Sequence, residues 1–370
     1  MKKLLCMLLV VIMALFAFAC GQPSQPASAT EAPKAEAPKA EAPKAEAPAK
    51  EEPKEIVMVG TEDSVNAEDF GYDAVAAREY TIAVVVKSAA IPVWESHIIA
   101  AKKAGQALGV KILDYSPSKS DNVEEQKRIL EDLITTGVDA VVLAPANTEA
   151  VKGPVQDLIN AGIPVIYDNT MGPSDVDYLT YVGVDNTKVG EMIADKMAQL
   201  IGGKGKILVM EGVPGQATSD LRTKGCLDWF AQKYPEIVVE TGVTKWQIDE
   251  GRKLAEDYIT KWGDSLSAIV AVGGNQAEGA VEAVKAAGKE GKILISGFDV
   301  QEPQYAAVEN GSEVFTVSQG VYQQAYLSVV TAVRALNGEN VPRLINCPIT
   351  IVTKDNLQQM DERPAALQNK

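Results

Sequence analysis

Gly137-Val138-Asp139-Ala140-Val141-Val142-Leu143-Ala144-Pro145, with Ala161-Gly162-Ile163-Pro164-Val165-Ile166 one helical stretch later, decides the fold class of this chain. Residues 140–144 are an unbroken apolar run closed by proline, residues 148–161 carry a helical pattern, and residues 163–168 are a second apolar run. A continuous run belongs to a strand covered on both faces, as in a parallel sheet, where an alternating one would mark a half-exposed strand. The same rhythm extends outward in both directions. Toward the N-terminus it predicts strands at 81–86 and 110–115 and helices at 94–108 and 121–136, the last with Val123, Ile129, Leu130, Leu133 and Ile134 on one face. Toward the C-terminus it predicts strands at 179–184, 206–211, 237–242, 268–272 and 292–298, separated by helices at 187–201, 221–233, 249–261 and 277–287. Repeated βα units mean an α/β fold of doubly wound parallel sheets. The units are too many for one such sheet and fall into two halves near Asp185, which predicts two lobes.

The chain upstream of this rhythm has a different character. Lys2 and Lys3 precede an apolar stretch, residues 4–19, that ends at Cys20. That is the pattern of a secretory signal peptide, 1–19, and it falls short of the roughly 20 residues that span a bilayer. The cysteine after the cut resembles the lipobox of bacterial lipoproteins, although Ala17 stands where that family usually has Leu. The resemblance implies lipidation at Cys20 and a body tethered outside the cytoplasmic membrane. Residues 20–55 repeat Glu-Ala-Pro-Lys from Glu31, Glu36 and Glu41. Regularly spaced proline blocks a continuous helix, and Ala, Glu and Lys cannot build a core, so this reads as a semi-extended linker. Residues 56–79 are a transition segment whose structure the sequence leaves open.

With 370 residues the chain has room for two domains. Its formal charge of −15 leaves no electrostatic footprint for nucleic acid or for an anionic membrane surface. Cys6 leaves with the signal, and Cys226 and Cys347 remain as an extracytoplasmic pair, free or bridged. His97 is the one histidine and reads as a surface or first-turn residue. There is no nucleophile elbow, metal-spaced His/Cys cluster or phosphate loop, so neither a cofactor nor a metal is expected, and an enzyme is disfavoured.

Six strings in order resemble the type I periplasmic sugar-binding proteins, the ribose and arabinose binders. They are the two quoted above, Val182-Gly183-Val184-Asp185-Asn186, the stretch from Gly215 to Gly225, Gly297-Phe298-Asp299, and Ile351-Val352-Thr353-Lys354-Asp355-Asn356. The resemblance covers about residues 80–356. It implies two parallel-sheet lobes joined by three hinge crossings, near Asp185-Asn186, Gln319-Gly320 and Asn346-Cys347. One lobe would hold 80–185 plus 320–346, the other 186–319 plus 347–370. It also implies a monomeric, lipid-anchored receptor that delivers a ligand to an ABC permease and its ATPase. The alternative in the same fold is a receptor for a furanosyl quorum-sensing signal, or a sugar sensor partnering a chemoreceptor or sensor kinase.

Ligands of such folds sit outside the carboxyl ends of the strands, so strand-end residues are the candidates. Lys87 matches the arabinose binder's lysine. Trp94, with Glu95 beside it, and Trp246 match the family's stacking aromatics, whose faces suit the C–H faces of a sugar. Asp168, followed by Asn169, and Asp299 match pocket aspartates. Asp220 occupies the slot of a sugar-binding arginine, while Arg222 matches a second arginine taken as structural. Gln319 matches a pocket glutamine beside a hinge, and Asn275 lies near a pocket asparagine, offset by two. Lys87, Asp168 and Asp220 together also match the furanosyl-signal branch in part. Three carboxylates facing one cation predict a small neutral sugar or polyol.

Overall fold

The computed structural model describes residues 64–360. The signal peptide, Cys20, the linker to residue 55 and the last ten residues lie outside the described residues. In chain order the elements are β1 (Ser64–Asn66), α1 (Ala67–Phe70), β2 (Thr81–Val85), α2 (Pro92–Leu108), β3 (Lys111–Tyr115), α3 (Val123–Thr136), β4 (Ala140–Leu143), α4 (Lys152–Asn160), β5 (Val165–Asp168) and β6 (Thr180–Gly183). There follow α5 (Asn186–Leu200), β7 (Gly205–Glu211), α6 (Ala217–Lys233), β8 (Ile237–Val243), α7 (Ile248–Trp262), β9 (Leu266–Ala271), α8 (Gly274–Ala286), β10 (Leu294–Ser296) and α9 (Glu302–Asn310). The last are β11 (Thr316–Ser318), α10 (Val321–Leu336), β12 (Leu344–Asn346) and β13 (Thr350–Val352). The apolar runs became strands and the periodic stretches became helices, as their patterns require.

Two parallel sheets form. The larger has the order β1-β12-β6-β5-β4-β2-β3 and the smaller β10-β9-β7-β8; β11 and β13 pair antiparallel as a separate ribbon. The transition segment therefore contributes: residues 64–66 add an edge strand in parallel register with β12, and Tyr72 is buried in the core. In each sheet the first strand of a βα run is central. β2 lies between β4 and β3, and β7 between β9 and β8, so the chain reverses its winding direction at both. Crevices open at the carboxyl ends of strands at such reversals.

The inner strands of the large sheet, β2, β4, β5 and β6, are buried on both faces. Ile166 packs with α2 and α10 in one core layer, and Val165 and Tyr167 with α3 and α4 in the other. Helix α10 is buried almost all round, so its apolar surface needs no single stripe. Ser328 and Thr331 return their hydroxyls to the carbonyls one turn back, of Gln324 and Leu327. Helices α5 and α6 touch backbone to backbone. A Cβ at Gly190 would stand 2.2 Å from the Arg222 carbonyl, and one at Gly225 2.2 Å from that of Thr187, so only glycine fits at the crossing. Cys226 lies in this contact, and both Cys226 and Cys347 are free and buried. Among the described residues no helix is long and apolar enough to cross a membrane.

Candidate functional site

A cavity of about 390 Å³ lies where the carboxyl ends of the two sheets face each other. Among the described residues, Asp121, Asn169, Lys245, Trp246 and Asp299 adopt left-handed backbone without being glycine, and all but Lys245 line this cavity. Such conformations cost roughly 1–3 kcal/mol each and persist where the surroundings dictate them, characteristically at ligand clamps. Aspartate and asparagine tolerate them best, and a tryptophan there is more strained.

The large sheet supplies Lys87 just after β2, and Asn169 just after β5. The Lys87 ammonium is buried and donates to Thr170 Oγ1 at 2.8 Å and Gln216 Oε1 at 3.0 Å. It also lies 5.4 Å from the centre of the Trp94 ring. Trp94 sits in the first turn of α2 and packs edge-on against His97. Asn169 donates to Gln319 and Gln324, each at 3.2 Å.

The small sheet supplies Arg222 from α6, Trp246 after β8, Asn275 from α8 and Asp299 after β10. The Arg222 guanidinium, fully enclosed, donates to Asn186 Oδ1 at 2.7 Å, the Val272 carbonyl at 3.1 Å and Gln319 Oε1 at 2.8 Å, and lies over the Phe298 ring. Gln319 in turn donates to Asp299 Oδ1 at 2.7 Å, so one glutamine ties Asn169, Arg222 and Asp299 into a single floor. The Trp246 indole is slotted between two glycines: a Cβ at Gly212 or at Gly273 would strike the ring at 2.0 Å or 2.6 Å. Asn275 donates to the Trp246 carbonyl at 3.3 Å.

Lys87, Trp94, Asn169, Trp246, Asn275, Asp299 and Gln319 thus share the cavity, and three expected residues do not. Asp168 is the last residue of β5 and shares the pleat parity of Ile166, so it faces α2, where its Oδ2 meets His97 Nε2 at 2.6 Å with both side chains buried. His97 is accordingly an interior residue and not a surface one. Glu95 is exposed, a helical step round from Trp94, where a carboxylate favours the N-terminal end of α2. Asp220 is exposed and accepts from the Gly215 N–H at 3.0 Å. It lies two residues from both Thr218 and Arg222, which share the opposite, cavity-facing side of α6. Arg222, read from sequence as structural, is thus the arginine of the site, and its i, i+4 spacing from Thr218 was the available signal. The Lys87–Asp168–Asp220 set is not assembled. Asp121, Gln216, Glu278 and Gln301 join the site from loops and helices with no local motif to mark them.

The chain matches the family model described as a periplasmic binding protein domain over residues 82–340. It belongs to that family. It is 30% identical over 280 residues to the ribose import binding protein of Haemophilus influenzae, covering 75% of this chain and 93% of the relative. It is 30% identical over 247 residues to a putative rhizopine-binding protein of Rhizobium meliloti, covering 65% and 79%. In structure it resembles an ABC transporter periplasmic solute binding protein of Actinobacillus succinogenes with bound D-allose, at a TM-score of 0.72 and 26% identity, covering 76% of this chain and all of the other. The family's type I architecture is the one seen here, two α/β lobes with parallel sheets.

In this periplasmic binding protein, burial pushes the five ionisable groups of the cavity, Lys87, Asp121, Arg222, Glu278 and Asp299, toward their neutral forms. Desolvation lowers Lys87 to about 8, against the attraction of Asp121. It lowers Arg222 to about 10, still cationic at neutral pH. It raises Asp121, Asp299 and Glu278, partly opposed at Asp121 by Lys87 and at Asp299 by Arg222. Two cations and three carboxylates therefore share a poorly hydrated space in which any added charge meets the same desolvation cost.

Proposed function

We propose that this chain is an extracytoplasmic substrate-binding protein of an ABC importer that holds a small neutral sugar or polyol between its two lobes. The observation that carries the reading is a single cavity walled by both lobes, with two indoles and a floor of Lys87, Asn169, Arg222, Asp299 and Gln319. Indole faces cover the C–H faces of a ring, and carboxylate, amide and guanidinium groups engage hydroxyls as acceptors and donors. The drive of each shifted group toward its neutral form favours a neutral ligand. The ribose and allose named for the relatives support the class and leave the sugar itself open.

The lobes comprise 80–185 with 320–346, joined by the edge strand at 64–66, and 186–319 with the tail. Three crossings between them act as hinges, and a ligand touching both lobes favours the closed state. Cys20 carries the lipid anchor, the linker to residue 55 spaces the body from the membrane, and the permease with its ATPase receives the ligand. The test is a thermal-shift screen over pentoses, hexoses, polyols, amino sugars, sugar phosphates and uronic acids. A ligand at 100 times its Kd should stabilise the protein by about 2.7 kcal/mol. Charged sugars should bind at least about a hundredfold more weakly than the best neutral one. A sugar acid as the best ligand would overturn the neutral-ligand reading, and no response to any sugar or polyol would overturn the function.

A further inference from the structure

Gln216 has no exposure to solvent and uses every hydrogen-bonding position of its side-chain amide. Its Oε1 accepts from Lys87 Nζ at 3.0 Å and Trp246 Nε1 at 2.8 Å; its Nε2 donates to Asp121 Oδ1 at 2.6 Å and the Ala146 carbonyl at 3.0 Å. A primary amide has two acceptor sites and two donor hydrogens, so it is saturated. The orientation is self-consistent: the oxygen faces two donors and the nitrogen two acceptors, and a flipped amide would satisfy none of the four. Three of the partners, Lys87, Asp121 and Ala146, belong to the large-sheet lobe, and the fourth, Trp246, to the small-sheet lobe that carries Gln216 itself.

The position makes this choice unusual. Gln216 is the N-cap residue of α6, yet its side chain makes no cap bond. The first of the orphan donors at the start of the helix is met from across the cleft, where Thr148 Oγ1 accepts from the Ala217 N–H at 3.0 Å. Beside it the Thr148 N–H donates to the Gly215 carbonyl at 2.8 Å. Lys87 follows β2 and Gln216 lies in the loop after β7, the strands at which the two sheets reverse their winding, so the contact joins one crevice to the other.

We propose that Gln216 is a positioning residue of the binding site and the latch of lobe closure: its one amide holds the Lys87 ammonium of one lobe and the Trp246 indole of the other in register. Separated lobes leave three of its four bonds unmade, so the latch favours the closed arrangement independently of which sugar is present. This rests on the two-lobe binding reading above.

The Thr148 and Ala217 amides report the contact directly, because both are bonded across the cleft. The experiment is residue-resolved hydrogen exchange on the protein without sugar. Gln216→Ala should speed exchange at these two amides by at least about tenfold while amides inside β7 and β9 keep their wild-type rates. Gln216→Glu keeps the shape but turns the donor half into an acceptor facing Asp121 and the Ala146 carbonyl, and should open the contact in the same way. Equal exchange at Thr148 and Ala217 in wild type and Gln216→Ala overturns the proposal, as does wild-type behaviour of Gln216→Glu. Faster exchange everywhere also overturns it, since that marks a merely structural residue. D-ribose and D-allose added to wild type provide the separate arm. No added protection with either removes these two sugars as candidate ligands and leaves the comparison of variants standing.

Discussion

Asp168 closes β5 and Asp299 follows β10, at corresponding carboxyl ends of the two sheets, yet one lies behind the wall of the cleft and the other in its floor. Asp168 is still part of the pleat. Its direction is inherited from Ile166, and it points between the sheet and α2, where His97 pairs with it. Asp299 lies beyond the last paired residue of β10, in left-handed backbone at φ 66°, which frees it from that alternation and turns it toward Gln319 and the cavity. A carboxylate held in the strand thus serves the core, and one released past its end faces the cavity. The step from Asp168 to Asn169, at φ 59°, repeats the rule within a single pair of neighbours.

The contrast can be broken most directly at its buried half. Asp168→Ala leaves a buried His97 polar atom without its partner and a void beside it, and should cost about 3 kcal/mol in denaturant unfolding, with sugar affinity of the folded fraction changed little. A large loss of affinity at unchanged stability would place Asp168 in the cleft after all. Lys87 tests the cavity side through pH. Its pKa is about 8 when folded against 10.5 when free, so between those values the unfolded chain keeps a proton that the folded protein releases. Stability should therefore rise with pH across that window, by up to about 3 kcal/mol. The difference between wild type and Lys87→Met, measured by denaturation at several pH values, isolates this slope, and a flat difference would mean that Lys87 is well hydrated.

Asp299→Asn, which keeps the left-handed backbone and an acceptor for Gln319 but removes the charge, should show the reverse of Asp168→Ala: a loss of sugar affinity of about tenfold, about 1.4 kcal/mol by calorimetry, with the thermal midpoint nearly held. Unchanged affinity would move the floor of the site elsewhere. The smallest effect belongs to Asp220→Ala. Removal of an exposed carboxylate bonded to the Gly215 N–H should alter stability by no more than about 1 kcal/mol and leave affinity unchanged. A tenfold change in Kd would restore it to the ligand.

Much of the site was legible because a parallel α/β fold places ligand groups at strand ends, and Lys87, Asn169, Trp246 and Asp299 are found by locating those ends. Position along the chain and orientation in space are separate properties, however. Glu95 and Asp220 are adjacent in sequence to cavity residues but lie on the other side of their helices, a matter of helical phase. Arg222 was read as a second, structural arginine, and its four-residue offset from Thr218 puts both on the helix face that lines the cavity. The His97–Asp168 pair needed both the parity of β5 and the phase of α2.

The sequence by itself determined the alternation of strands and helices, the division into two α/β lobes and the family, because apolar periodicity and local motifs act over a few residues and report themselves. Only the tertiary structure decided which carboxylate faces the cavity, that Arg222 supplies its second cation, and that Gln216 meets Lys87. Those two residues are 129 positions apart and carry no pattern in common. Their contact arises where the carboxyl ends of the two sheets face each other, and a pairing made between sheets leaves no local trace in either segment of the chain.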